Sequence, residues 1–249
     1  MSERDKGPQI YSIAAHRGFA DALVAGLIPR YGDGELGLAR LTLLVPSQRA
    51  LRTITEAFVR AFGAGGTARG LLMPRMAVAG DLDLDEALGS LLDPLGAEEA
   101  IAPAANPTRR WLRLAAFITE LEGDEAPKGA ALLRRAFEAG RTMDRLAVEG
   151  VSPAQLLEPD VLAVVGDQAR HWIDSTAGFL KLQACWQAEL EARGEIDAPV
   201  RRNLLLERAA RLWSEAPPAH PIVAVGVPSA SPALAKLLRV VSQLPRGAV

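Results

Sequence analysis

"LTLLVPSQRALRTITEAFVRAF", residues 41–62, joins two different patterns at one proline. Its first part, "LTLLVP" (41–46), is a continuous apolar run stopped by Pro46, the pattern of a strand buried on both faces. Its second part, residues 47–62, sets Leu51, Ile54, Phe58 and Ala61 on one stripe at helical spacing and leaves Arg49, Arg52 and Arg60 off it. Ser47 stands where its hydroxyl caps such a helix, and Gly63, Gly65 and Gly66 stop it. A doubly buried strand followed at once by an amphipathic helix predicts a parallel sheet covered by helices, because parallel strands need a crossover connection.

The same alternation extends outward. Upstream, residues 10–14 predict a short strand, and the stretch after it puts Phe19, Leu23, Leu27 and Ile28 on one helical face. Downstream, "GLLMPRMAV" (70–78) predicts a third strand ended by Pro74. From about 107 to 213 the period is helical almost throughout. Trp111, Leu114, Ile118 and Leu121 form one stripe, and Leu132, Leu133, Ala136 and Phe137 a second. Trp172, Thr176, Phe179, Leu182, Trp186 and Leu190 form a long one with Cys185 beside it; Leu204, Leu205, Arg208 and Leu212 continue the pattern. Tryptophans at such spacing read as core rather than as a stacking surface for bases. The strand signal then returns in "PIVAVGV" (221–227), followed by a helix over 231–244 with Ser231 as cap, Pro232 at its first position and Leu234, Leu237, Leu238 and Val241 as its stripe. The expected fold is α/β: a parallel-sheet core from 1–84 and 214–249, with 85–213 as an inserted helical subdomain. "PRGAV" at 245–249 begins another strand, which leads us to expect a longer protein continuing beyond Val249.

Composition narrows the function. In 249 residues, 49% are hydrophobic and 23% charged, which is globular, and the net charge of −2 leaves room only for a local basic groove. No apolar run reaches the roughly 18 residues of a membrane span. "MSERDKGPQ" has no apolar signal region, and Cys185, the lone cysteine, can form no internal disulfide; together these point to the cytoplasm. His16, His171 and His220 share no metal-ligand spacing with Cys185. Seven acidic residues fall between Arg75 and Arg109 with no basic one. Asp81, Asp83 and Asp85 among them read as a solvated acidic loop and helix start, since the glycine and closing glutamate of a calcium loop are missing. No metal or cofactor site and no nucleophile motif follows from the residues. "GAGG" (63–66) follows a helix rather than a strand, so it reads as a helix stop and not a phosphate cradle.

A phosphate-binding loop needs clustered backbone N–H groups and a lysine. None of the four lysines, Lys6, Lys128, Lys181 and Lys236, is followed by Ser or Thr. At the corresponding position, "AAHRGF" (14–19), Gly18 is the only glycine and Arg17 the only fixed cation, beside His16. "VAVGV" (223–227) holds no carboxylate where a magnesium-binding pair is expected. His16, Arg17 and Gly18 therefore mark a degenerate phosphate-loop position. Two readings stay open: an anion contact at Arg17, or His16 and Arg17 capping the sheet edge.

The order strand–turn–helix, "LTLLVPSQRALRTITEAF", helical insert and "HPIVAVGVPSASPALAKLL" (220–238) resembles the N-terminal region of AddB-type subunits of the bacterial AddAB helicase–nuclease, which processes double-strand breaks in DNA. It is most similar to the alphaproteobacterial branch, through "AHRGFADALVAGL" (15–27), "RHWIDSTAGFL" (170–180) and "RRNLLLERAARLW" (201–213). The resemblance covers essentially the whole chain and rests on many weakly diagnostic segments in one order. It implies a RecA-like, superfamily 1 helicase domain that partners an AddA-like motor subunit and DNA. The family's iron–sulfur nuclease domain lies outside these residues. By the same resemblance "VPSQRA" (45–50) occupies a segment that contacts single-stranded DNA, with Ser47, Gln48 and Arg49 as backbone contacts. A capped helix start with a solvated arginine fits the same residues. Bacillus-type members keep a glycine-lysine loop at the first turn, and this chain departs from it, which implies a module without ATPase activity. The rivals are a nucleotide hydrolase with an atypical loop and a scaffold that holds a partner without touching DNA.

Overall fold

A computed structural model describes residues 7–33, 36–63, 72–79 and 100–249. The chain divides into two compact units, Met1–Glu99 with Leu204–Val249, and Ala100–Asn203. The sequence reading put the changeovers at 84/85 and 213/214; the units change at 99/100 and at 203/204, inside a helix.

The first unit is an α/β layer. Helix α1 (Phe19–Tyr31) precedes strand β1 (Thr42–Val45), helix α2 (Gln48–Gly63) and strand β2 (Arg75–Val78). After the second unit come β3 (Ile222–Ala224), a helix numbered α8 below (Pro232–Gln243), and β4 (Gly247–Ala248). The sheet is wholly parallel in the order β2-β1-β3-β4. β1 is central, with Leu43 set against Met76 on one side and Val223 on the other, and all four of its residues are buried. That is why its sequence shows no alternation.

Three expectations need correction here. Pro74 does not end a strand over 70–78: β2 begins immediately after it, because proline has no N–H to give to a ladder and fits only before the first pair. Residues 10–14 form no assigned strand; instead Val249 N–H donates to Gln9 O (3.0 Å) and Tyr11 N–H donates to Val249 O (2.8 Å), one parallel bridge at the outer side of β4. Finally, the stripe of α1 is Ala20, Val24 and Leu27, with Leu23 and Ile28 half-buried, while Phe19 is 44% exposed.

α2 follows its pattern closely. Ile54, Ala57 and Phe58 are buried, Arg49, Arg52 and Arg60 face outward, and Ala61 is exposed. Ser47 Oγ accepts a hydrogen bond from Ala50 N–H (3.2 Å), the expected cap. Ser47→Ala is expected to lower the stability of this unit by about 1 kcal/mol, read as a shift in the urea midpoint at constant slope. α8 begins at Pro232 with Ser231 in the cap position, as predicted, but the Ser231 hydroxyl makes no cap hydrogen bond, and the buried side of that helix is Ala233, Leu237, Val241 and Ser242.

The second unit is helical: α3 (Pro107–Glu122), α4 (Ala130–Glu149), α5 (Pro159–Val165), α6 (Ala169–Arg193) and the start of α7 (Ala198–Glu215). Asn106 caps α3 by accepting from Arg109 N–H (3.0 Å). Leu114, Phe117, Ile118, Ala136, Met143, Leu182, Trp186 and Leu190 form its core. A polar network runs beside Trp186. Its indole N–H donates to Asp197 Oδ1 (2.9 Å), Arg110 Nε lies 3.0 Å from the same oxygen, and Arg110 Nη1 lies 2.5 Å from Asp144 Oδ1. The Nε contact is one of charge, its N–H not being aligned as a hydrogen bond. Burial pushes the Asp197 carboxyl above its ordinary range, against the pull of Arg110 and of the indole N–H.

The tryptophans divide between core and rim. Trp186 and Trp213 are buried, whereas Trp111 is 37% exposed, donates to Leu133 O (2.7 Å) and meets Phe137 edge-on at 6.4 Å. In α7 the buried side is Leu205, Leu206, Ala209, Ala210 and Trp213, one step round from the predicted Leu204 stripe. Among the described residues no helix is long and apolar enough to cross a membrane.

Candidate functional site

In an open parallel sheet, a crevice forms at the carboxyl ends of two adjacent strands whose onward connections leave in opposite directions. β1 and β3 are such a pair. From β1 the chain passes through α2 to β2 on one side, and from β3 through α8 to β4 on the other. A cavity of about 470 Å³ lies there. Its walls are Phe19 and Ala20 from the first turn of α1, Ser47, Arg49 and Thr53 from α2, and Val225 and Gly226 beyond β3.

Local chemistry explains each wall. Pro46 ends β1 and Ser47 caps α2, so the first turn of α2 stands directly above the carboxyl end of the central strand. Gly226 has φ +63°, a left-handed conformation that favours glycine, and a Cβ there would lie 3.1 Å from Phe19 Cε1 and Cζ. The Phe19 ring thus closes one side of the cavity over bare backbone, which is why it is not in the core stripe. Thr53 Oγ1 donates to Arg49 O (3.0 Å).

The electrostatics favour an anion. Two helix N-termini with their partial positive charge open here, that of α1 after Gly18 without a side-chain cap. Arg49 is exposed and has no ion-pair partner among the described residues, whereas Arg60 is paired with Asp21 (2.7 Å).

The predicted residues separate into two groups. Ser47 and Arg49 line the cavity; Gln48, between them, does not and has an interaction of its own. His16, Arg17 and Gly18 are exposed and, among the described residues, outside the lining. Arg17 N–H is spent on a turn, donating to Ala14 O (3.0 Å). Gly18 has φ −60°, open to any residue, so this turn lacks the left-handed glycine geometry of a backbone anion nest. Thr53 and Gly226 were not singled out from the sequence, and Phe19 was read there only as part of a core-facing stripe. The one available sign was a glycine inside the apolar run "VAVGV", which marks a close approach of backbone.

Among the described residues no group of three or more His, Cys, Asp and Glu could hold a metal ion. Asp81, Asp83 and Asp85 lie outside the described residues. Cys185, the one cysteine in these 249 residues, does not fit the four-thiolate set of an iron–sulfur cluster. Comparison of the chain with protein-family models, with curated proteins and with solved structures finds no match in any of the three.

Proposed function

We propose that this chain is a non-catalytic, helicase-like module of a DNA double-strand break repair helicase–nuclease. It guides single-stranded DNA along the carboxyl edge of its parallel sheet and docks an ATP-hydrolysing, AddA-like motor subunit. In this reading the parallel unit is a RecA-like, superfamily 1 core and the helical unit its insert.

The observation that carries the proposal is the cavity where β1 and β3 diverge, with Ser47 capping α2 and Arg49, which has no ion-pair partner among the described residues, on its first turn. A phosphate meets there a cation, the positive end of a helix and a hydroxyl. The Phe19 ring adds a flat apolar wall of the kind on which a base stacks. The turn at His16, Arg17 and Gly18 offers one cation and no nest, which favours binding without nucleotide hydrolysis.

The test is fluorescence anisotropy with a labelled oligothymidine over a salt series. Binding is expected to weaken steeply with salt. Arg49→Ala is expected to reduce the slope of log affinity against log salt by about 0.7, one phosphate contact on a single strand. An unchanged slope and affinity in Arg49→Ala would remove this edge from the DNA path. ATP binding abolished by Arg17→Ala would instead favour a nucleotide hydrolase.

A further inference from the structure

A larger cavity, of about 920 Å³, lies at the opposite, amino edge of the sheet and plays no part in the DNA reading. Leu41, Pro221 and Arg246, each immediately before a strand, lie in its wall. Three guanidinium groups, Arg30, Arg40 and Arg246, and two tyrosines, Tyr11 and Tyr31, share the lining with a single described carboxylate, Asp33.

Arg30 is accounted for without a ligand. It lies in the last turn of α1, where a cation suits the helix end, donates to Gly26 O (2.8 Å) and lies over the Tyr11 ring at 5.1 Å. Arg40 and Arg246 are not accounted for in this way. Arg40 ends a short 3-10 turn (Gly37–Arg40) and, like Arg246, has no ion pair among the described residues; the Arg246 side chain donates to Ala219 O at 3.4 Å. Both are exposed around a concavity instead of spread over a convex surface. Tyr11, Arg30 and Tyr31 line the cavity together, and burial pushes the Tyr31 hydroxyl above its ordinary range, Tyr11 adding to the rise and Arg30 opposing it.

Guanidinium forks match phosphate oxygens in pairs, and tyrosine rings take a planar base on their faces. The cavity lies within the size range of small-molecule sites. We infer that the amino-edge cavity binds a nucleoside phosphate, with Arg40 and Arg246 on the phosphate, Tyr11 and Tyr31 on the base and Asp33 accepting from a sugar hydroxyl. Its source is either a free nucleotide or the phosphorylated end of a strand.

Isothermal titration of the full chain with AMP, adenosine and inorganic phosphate tests this. AMP is expected to bind, with adenosine and phosphate each weaker by about tenfold or more, since each keeps half of the contacts. Arg40→Gln and Arg246→Gln should each weaken AMP by about tenfold with unchanged thermal melting. As a measurement independent of variants, AMP should protect Arg40 and Arg246 from modification by phenylglyoxal. Competition against AMP by a 5′-phosphorylated oligonucleotide, but not by its unphosphorylated form, identifies a strand end as the source; no competition by either identifies the free nucleotide. Absence of AMP binding, AMP binding no tighter than phosphate, or binding retained in the double arginine variant overturns the inference.

Discussion

Trp186→Ala is expected to destabilise the helical unit by about 4 kcal/mol, the largest effect of any single truncation there. Trp186 is fully buried, and its ring packs in one cluster with Leu114, Ile118, Leu182 and Leu190. Truncation removes the apolar transfer term and leaves a ring-sized void, whose cost the surrounding helices recover only by collapsing. It also takes the indole N–H from Asp197, which is 5% exposed and keeps Arg110 beside it. Trp186→Phe separates the two parts: it keeps most of the volume and drops the hydrogen bond, so a loss of about 1–2 kcal/mol is expected. Trp111→Ala, at the rim, serves as the control with a smaller loss. Urea unfolding of the three variants decides. Equal midpoints for Trp186→Ala and Trp186→Phe would mean that the hydrogen bond, and not packing, carries the site.

The same network sets a pH dependence. Asp197 holds its proton more tightly folded than unfolded, because burial disfavours its charged form. Its contribution to stability is therefore fully present below the ordinary value of 3.8 and is lost as pH rises through the higher folded value. Glu189 runs the other way. Burial alone would raise its carboxyl, but hydrogen bonds from Arg113 and Arg193 hold it below the usual range. Its stabilisation is present above the ordinary value and is lost as pH falls through the lower folded one. In Asp197→Asn the amide oxygen still accepts from Trp186. Stability near neutral pH should stay within about 1 kcal/mol of the parent, and the decline above the ordinary carboxylate value should flatten. A parent and an Asn variant with the same pH profile would exclude Asp197 as its source.

Gly247→Ala is the second large effect, about 3 kcal/mol in the α/β unit. Gly247 pairs with Ile222 in the β3–β4 ladder, and α8 ends just before it. A Cβ at this position would fall on the Val241 carbonyl oxygen and 2.7 Å from Leu244 Cβ. The obstacle is backbone, which no rotamer change relieves, and the glycine is required for close approach rather than for an unusual φ. To accommodate the methyl group, β4 must leave its place beside β3, and the bridge from Gln9 and Tyr11 to Val249 goes with it. Unfolding should shift, and the Ile222 amide, which donates to Arg246 O (3.1 Å), should exchange faster with solvent. A midpoint unchanged within about 0.5 kcal/mol, the ordinary range of surface changes, would show that the helix exit yields easily.

The residues of the candidate site differ in how far sequence reveals them. Ser47 and Arg49 follow from a local rule: a proline ends a strand, a serine caps the next helix, and the first turn has to stand at that strand's end. Phe19 illustrates the opposite. It is apolar and at helical spacing with Leu23 and Leu27, yet it faces Gly226, two hundred residues on, and not the core. Leu204 is likewise apolar and exposed, and Leu206 beyond it is buried. Spacing defines a stripe, but where neighbouring positions are also apolar, its phase depends on what packs against it.

By itself the sequence determined the α/β character, the doubly buried β1, the helical period through the middle of the chain, the cap at Ser47 and the helix start at Ser231 and Pro232. These rest on interactions within a few residues, or on burial so complete that a strand must be apolar throughout. Only the tertiary structure decided that β1 lies between β2 and β3, that Phe19 and Gly226 join Ser47 and Arg49 around one cavity, and that Arg30, Arg40 and Arg246 gather around another. Each of these follows from the pairing of strands far apart in the chain. Backbone hydrogen bonds in a parallel ladder are alike for every residue, so local sequence carries no record of which strand lies next to which.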